Sequence, residues 1–517
     1  MANWFLVLIL CVNFCYGAKI LVVFPVPAGS HNNLGMGIVR NLVKAGHEVT
    51  YITPFAPKSN VPNLRYVVAD SALDAIPAES LRIEAIMTGE VVFSPAMVFD
   101  MMYNVTTKML YDEKVQKLMN DPREHFDLVI VERMFLDVIS GFSVVFECPY
   151  IWSFPYEPNF DALSLIDETT NPAYTTNVAF SYVPPFTFQE RVEMLWFQIV
   201  GTASKIFHYR VIENELYEEV FTPILERRGR VLPPYDEVRL NASMMLGNTH
   251  ASFGTTIRLP QNFKAIGGYH IDPEVFEPLP DDLKQILDSS KNGVIYFSMG
   301  SNLKSKDFPT KVKSNLLEMF GTLKQTVIWK FEETFPNIPK NVHILKWAPQ
   351  PSILAHPNCV LFITHGGLLS TTEAVHFGVP VIGMPVFFDQ FNNIDRAARR
   401  GFGKKVLLSY NLADDLKEAI DDILGNPKYK QTMKELSFIY HNRPISPGQE
   451  LVHWVEHTIA TRGAVYLRSP ALHVPFYQKF YLDLLAVIVF AVYAIKRFIS
   501  SQILASKRNR VPKKKRS

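Results

Sequence analysis

Cysteine is scarce in this chain. Of 517 residues only four are cysteine, and two of them, Cys11 and Cys15, fall in the leading apolar stretch. Cys148 and Cys359 remain, each among apolar neighbours, so a disulfide framework is excluded and buried free thiols are expected. A charge excess is lacking as well: the formal net charge is +2, which asks for no nucleic-acid partner. No Asp-x-Asp pair occurs anywhere, so the closely spaced carboxylates that hold Mg or Mn against a diphosphate are missing. What is present is material for a large core. Hydrophobic residues make up 48% and charged residues 20%, and the length suits two large domains rather than one.

The positive charge is unevenly placed. Nine Lys or Arg and no acid lie between residues 496 and 517. Ahead of them runs an apolar segment, residues 480–495, with Tyr477 and Tyr481 at its start. Sixteen residues rise about 24 Å as a helix, slightly less than the ~27 Å of a thin bilayer core. The expectation is a membrane anchor over 476–497, a lumenal body and a cytosolic basic tail over 498–517; a buried terminal helix is the competing reading. At the other end, residues 4–11 are nearly all apolar and small residues follow, so residues 1–18 read as a secretory signal. Lys514 and Lys515 resemble a dilysine signal for retrieval to the endoplasmic reticulum (ER). Asn104-Val-Thr and Asn241-Ala-Ser are N-glycosylation acceptors in a lumenal chain.

Between these ends the pattern is α/β. Residues 19–26 form an apolar run of strand length, 27–33 a loop, 34–45 a helix closed by Gly46, and 49–53 a second strand. Further strands are expected at 126–131 and 150–153. The pattern restarts with strands at 293–298, 326–330, 342–346, 360–364 and 379–384. Two doubly wound halves, joined near 252–268 and without a sequence repeat between them, place a cleft at the carboxyl ends of their strands.

Residues 360–378, VLFITHGGLLSTTEAVHFG, carry the most chemistry. A buried strand ends at Thr364, His365-Gly366-Gly367 turn without bulk, and a helix follows. Its free N–H groups and positive dipole end suit a diphosphate. Ser370-x-x-Glu373 also reads as a capping box. A nicotinamide-binding turn at Gly35-Met-Gly37 is a weaker reading, since no third glycine stands at the right place.

Trp347-Ala-Pro-Gln350, Thr364-His-Gly-Gly367, Glu373 and Asp389-Gln390 closely resemble the signature of the UDP-glycosyltransferases. Gly378-Val-Pro380, the Gly267-Gly-Tyr-His270 turn and residues 297–301 (FSMGS) extend the match over nearly the whole mature chain. It is most similar to the membrane-bound animal glucuronosyl- and glucosyltransferases, with an invertebrate character.

The resemblance implies a GT-B fold: two Rossmann-like domains facing a cleft, plus a C-terminal transmembrane helix. Residues 19–255 would form the acceptor-binding domain and 256–460 the UDP-sugar domain with a returning helix. It implies that Trp347 stacks on uracil beside Gln350, that Ser301, His365 and Gly367 meet the diphosphate, and that Glu373 takes the ribose. Asp389 and Gln390 would hold the sugar, and Arg258 would lie near the donor. One position departs from the pattern: many relatives carry Asn where this chain has Leu369, leaving Ser370 and backbone N–H groups for phosphate. His31 is the expected base, since imidazole titrates near working pH. A carboxylate is expected to orient it; Glu132 stands where the family has Asp, and Asp137 is the competitor.

The implied reaction is inverting, metal-independent transfer of a hexosyl group, glucose favoured over glucuronate, to a small lipophilic hydroxyl compound in detoxification. No cofactor is expected beyond the UDP-sugar. The aromatic segments 150–156 and 180–188 are expected to line the acceptor pocket. The ER membrane, the retrieval machinery and room for a homo-oligomer complete the expected partners. A catalytically inactive UDP-sugar or small-ligand binding protein of the ER membrane is the alternative.

Overall fold

Lys19–Val23 (KILVV) is apolar on both faces, and a strand of that kind needs cover on both sides. Ile20 and Val22 enter one apolar cluster, Leu21 and Val23 the opposite one, as the twofold alternation of a strand requires. The computed structural model describes residues 17–57, 59–77, 82–177, 179–180, 182–252, 257–301 and 303–509.

The first sheet is parallel and seven-stranded, in the order β3-β2-β1-β4-β5-β6-β7. Its members are β1 (Lys19–Val23), β2 (Glu48–Thr53), β3 (Leu64–Val68), β4 (Leu128–Glu132), β5 (Tyr150–Phe154), β6 (Met244–Gly247) and β7 (Phe263–Ala265). The second is parallel and six-stranded, in the order β10-β9-β8-β11-β12-β13. It is built from β8 (Val294–Ser298), β9 (Thr326–Lys330), β10 (Val342–Leu345), β11 (Cys359–Thr364), β12 (Val381–Gly383) and β13 (Gly403–Lys405). β7 lies in the stretch the sequence assigned to the second domain, yet it pairs with β6 and closes the first sheet. Three residues are too few to reveal their sheet by pattern.

Each sheet reverses direction once. The chain builds outward from β1 through β2 and β3, then returns to lay β4 on the other side of β1. In the second sheet the same reversal falls between β8 and β11. Open parallel sheets bind ligands at such a switch point, beyond the carboxyl ends of the two strands. After the second sheet, helix Pro447–Ala460 returns to the first: Leu451 and Val455 join the cluster of Ile38 and Leu42.

Residues 469–517 form a separate compact unit. Its main element is a 28-residue helix, Leu482–Asn509. Among the described residues no helix is long and apolar enough to cross a membrane. The anchor expected at 476–497 is therefore corrected. Only the twelve residues 484–495 are free of charge between Asp483 and Lys496. They rise about 18 Å, well short of a hydrocarbon core of ~30 Å. The helix also runs on past Lys496 and Arg497 instead of ending there. Residues 1–16 of the expected signal, the boundary at 255–256, and Lys514 and Lys515 lie outside the described residues.

Candidate functional site

The chain leaves β1 and enters helix α1 (Gly29–Lys44), so His31 sits in the first turn of a helix. The sequence placed it in a loop over 27–33, because Ser30, Asn32 and Asn33 look solvated. Asn32 instead accepts hydrogen bonds from Tyr51 Oη and Thr53 Oγ1, each at 3.2 Å, at the end of β2. Glu132 is the last residue of β4 and fully buried. Its Oε1 makes a short hydrogen bond with His31 Nδ1, while Oε2 has no hydrogen-bond partner among the described residues. Burial lowers the His31 pKa, but the charge and hydrogen bond of Glu132, with a contribution from Asp389, outweigh it and the net shift is upward. With Nδ1–H donating to the carboxylate, the neutral ring keeps its lone pair on Nε2. The two groups come from the two strands that flank the first switch point.

Asp137 is placed elsewhere. It pairs with Arg133 Nε and Lys205 Nζ, both at 3.1 Å, and with Arg239 at 3.7 Å. Asp161 joins the same buried group through Lys205 at 2.7 Å. Burial alone would raise the Asp137 pKa; the three cations reverse this and hold it low. Of the two carboxylates weighed from sequence, Glu132 is the one brought against His31.

At the second switch point, β8 leads to Gly300 and Ser301, and β11 leads to His365-Gly366-Gly367. The His365 ring lies between Gly300 and Gly367: a Cβ on either would stand 2.7 Å or 2.6 Å from it. These glycines therefore clear space for the imidazole. Burial pushes the His365 pKa down to about 4, so the ring is neutral. Helix α2 (Leu368–Phe377) starts after Gly367, and no side chain caps it. The expected capping box is not formed, because Ser370 already lies inside the helix. Its first N–H groups are left for another acceptor. Leu369 packs against the apolar cluster of the first sheet, an apolar contact where a polar residue was expected.

Glu373 is buried, and its Oε2 accepts from Gln350 Nε2 at 2.6 Å. Gln350 also reaches Ser370 Oγ at 3.3 Å. Burial raises the Glu373 pKa to about 7 against the lowering effect of Gln350. Trp347 is 59% exposed, and its Nε1 donates to Glu277 Oε2 at 3.3 Å. Asp389 caps helix α3 (Gln390–Arg400) by position only. Burial moves its pKa up to about 6, opposed by the Asn393 hydrogen bond. Gln390 spends its carbonyl oxygen on the N–H groups of Val386 and Phe387, at 2.8 Å and 3.2 Å, leaving only its amide NH2 to offer. Arg258 is exposed in the connecting segment.

Asn393 escaped the sequence reading. Its Nδ2 donates to Asp389 Oδ2 at 2.7 Å and to the Gly366 carbonyl at 3.0 Å, tying Asp389 to the glycine turn. Its spacing of four from Asp389 on a helix was the available signal.

The two switch points face one cleft. A Cβ on Gly29, at the start of α1, would stand 2.9 Å from Ser301 Oγ. Asp389 raises the His31 pKa, and His31 in turn lowers that of Asp389. The expected acceptor aromatics divide. Tyr150, Trp152 and Phe154 are core residues of β5. Tyr156 stands edge-on to His31 with centroids 6.4 Å apart, and Phe180 and Tyr182 border a recess shared with Asp389 and Asn393. Gly35 and Gly37 lie within α1 and let it pack on Tyr51 and His270, which removes the nicotinamide reading.

Comparison with known proteins identifies the family and the fold. The family described as "UDP-glucoronosyl and UDP-glucosyl transferase" matches residues 18–517. The chain is 31% identical to "UDP-glucosyltransferase 2" of Dactylopius coccus, over 92% of this chain and 90% of that one. It is 26% identical to "UDP-glucuronosyltransferase 2B15" of Rattus norvegicus, over 95% of each. The solved structure of CalG4, the calicheamicin glycosyltransferase, covers 86% of this chain and 99% of its own with a TM-score of 0.55 at 15% identity, a likeness of fold. The chain thus belongs to the UDP-glucuronosyl and UDP-glucosyl transferase family, with the two parallel sheets of a GT-B glycosyltransferase.

Proposed function

We propose that this enzyme transfers a hexosyl group from a UDP-sugar to the hydroxyl of a small lipophilic acceptor, with inversion and without a metal or other cofactor. The carrying observation is the His31–Glu132 pair facing, across one cleft, an uncapped helix terminus beside His365 and Ser301. Uracil stacks on the exposed Trp347, the ribose hydroxyls meet Glu373, and the diphosphate meets the N–H groups of α2, His365 and the Ser301 hydroxyl. Asp389 and the Gln390 amide take the sugar hydroxyls. The acceptor proton passes to His31 Nε2 as its oxygen bonds to the anomeric carbon. The bond from that carbon to the diphosphate oxygen breaks on the opposite side, and UDP leaves as an anion held by preorganised donors. Glu132 stabilises the imidazolium that forms.

An aromatic wall supports a lipophilic acceptor. Phe93 packs on Phe387 and Phe388, next to Asp389, with centroids 4.9 Å and 5.3 Å apart. Glucose is the favoured sugar, because the glucosyltransferase relative is the more similar of the two. Entry into the secretory pathway and residence in the ER are supported by the apolar residues 4–11, the exposed acceptor Asn241, and Lys514 with Lys515. The direct test is turnover with UDP-glucose and UDP-glucuronate against a panel of phenols, steroids and flavonoids. Transfer that is abolished by His31→Ala supports the proposal; UDP binding with no transfer to any acceptor would establish the inactive binder instead.

A further inference from the structure

One buried histidine has both ring nitrogens without a hydrogen bond. The His270 side chain is 3% exposed, and neither Nδ1 nor Nε2 has a hydrogen-bond partner among the described residues. An imidazole always carries at least one N–H, and burying it unpaired is costly, so such a group points to a partner that arrives. Its Nε2 lies 3.8 Å from Glu373 Oε1, just beyond hydrogen-bond reach. The other oxygen of Glu373 is already engaged by Gln350.

The turn carrying His270 is gripped from both halves of the molecule. Tyr440 Oη and Arg443 Nη2 donate to the Gly267 carbonyl at 3.0 Å and 2.9 Å. From α1, Asn41 Nδ2 donates to the Tyr269 carbonyl at 3.0 Å, and Arg40 Nη2 to that of His270 at 3.3 Å. Gly37 approaches so closely that a Cβ there would stand 2.8 Å from His270 Cα. Neighbouring Tyr269 is buried in the apolar cluster of the first sheet. Burial pushes its hydroxyl pKa up, Ser153 moderates this, and the Glu132 charge adds to it. The helix that carries His31 thus holds the backbone of the turn that presents His270 to Glu373.

We propose that His270 is a positioning residue of the donor site: its Nε2–H closes onto Glu373 Oε1 when the ribose hydroxyls engage that carboxylate, fixing Glu373 to the turn that α1 grips. The proposal rests on Glu373 being the ribose ligand. Burial, with Arg40 and His376, drives the His270 pKa down to about 3, so the ring offers an N–H without a charge.

The test compares UDP with 2′,3′-dideoxy-UDP by titration calorimetry on the full chain and three variants. His270→Leu is expected to weaken UDP about tenfold and to leave dideoxy-UDP within twofold. His270→Gln, which keeps an amide N–H at the same reach, should stay within threefold of the parent for both. Equal weakening of both nucleotides by His270→Leu would mean a packing role and overturn the proposal. So would no weakening of either, or a Gln variant as poor as Leu. Glu373→Gln separates the premises: if it keeps the preference for UDP over dideoxy-UDP, the ribose reading itself falls. If it loses that preference while His270→Leu keeps it, only the role of His270 falls.

Discussion

The two switch points have the same topology and opposite electrostatics. At the first, a carboxylate with no exposure is set against an imidazole whose pKa it raises. At the second, burial suppresses charge: His365 is pushed down to about 4 and Glu373 up to about 7, and the remaining donors are backbone N–H groups. An anion brought to the second site meets neutral donors and a helix dipole that need no rearrangement. One fold thus sets a charged pair at one crevice and neutral donors at the other, at the carboxyl ends of two pairs of parallel strands.

Glu132→Gln breaks the comparison most severely. It removes the charge that holds the His31 pKa up and leaves burial, which pulls it down. The plateau of acceptor kcat/KM should fall about 10²–10⁴-fold, and the acid limb of its pH profile should move to lower pH. A profile with its acid limb unmoved would show that Glu132 does not set the base. Trp347→Ala acts on the other crevice alone. Loss of one stacked base is worth about 1–3 kcal/mol, so UDP affinity should drop roughly 5- to 150-fold while the pH profile keeps its shape. Leu369→Asn is the smallest test. It adds an amide near the start of α2 but removes an apolar contact with the first sheet. UDP affinity should rise or fall by less than about threefold, with a Tm lowered by a few degrees.

Much of the second crevice was legible in the sequence because it is local. Strand, glycine turn and helix follow one another within residues 359–377, and Trp347 to Gln390 span one domain. The first crevice was legible only in part. His31 and Glu132 were named, but the start of α1 was hidden by polar residues, of which Asn32 finds its partners, Tyr51 and Thr53, on β2. The Asp137 cluster joins residues 133, 137, 161, 205 and 239, and no spacing rule connects them. The Ser370 capping box failed because Gly367 had already begun the helix. β7 was not foreseen as a strand, because three residues in the joining stretch carry no periodicity.

Separation of the two crevices is measured most directly by UDP binding to His31→Ala, set beside its turnover. Transfer should fall by at least about 10³-fold, with the UDP Kd within twofold of the parent chain. A UDP Kd weakened in proportion to the loss of turnover would contradict the account, since it would place His31 in the anion cradle rather than opposite it.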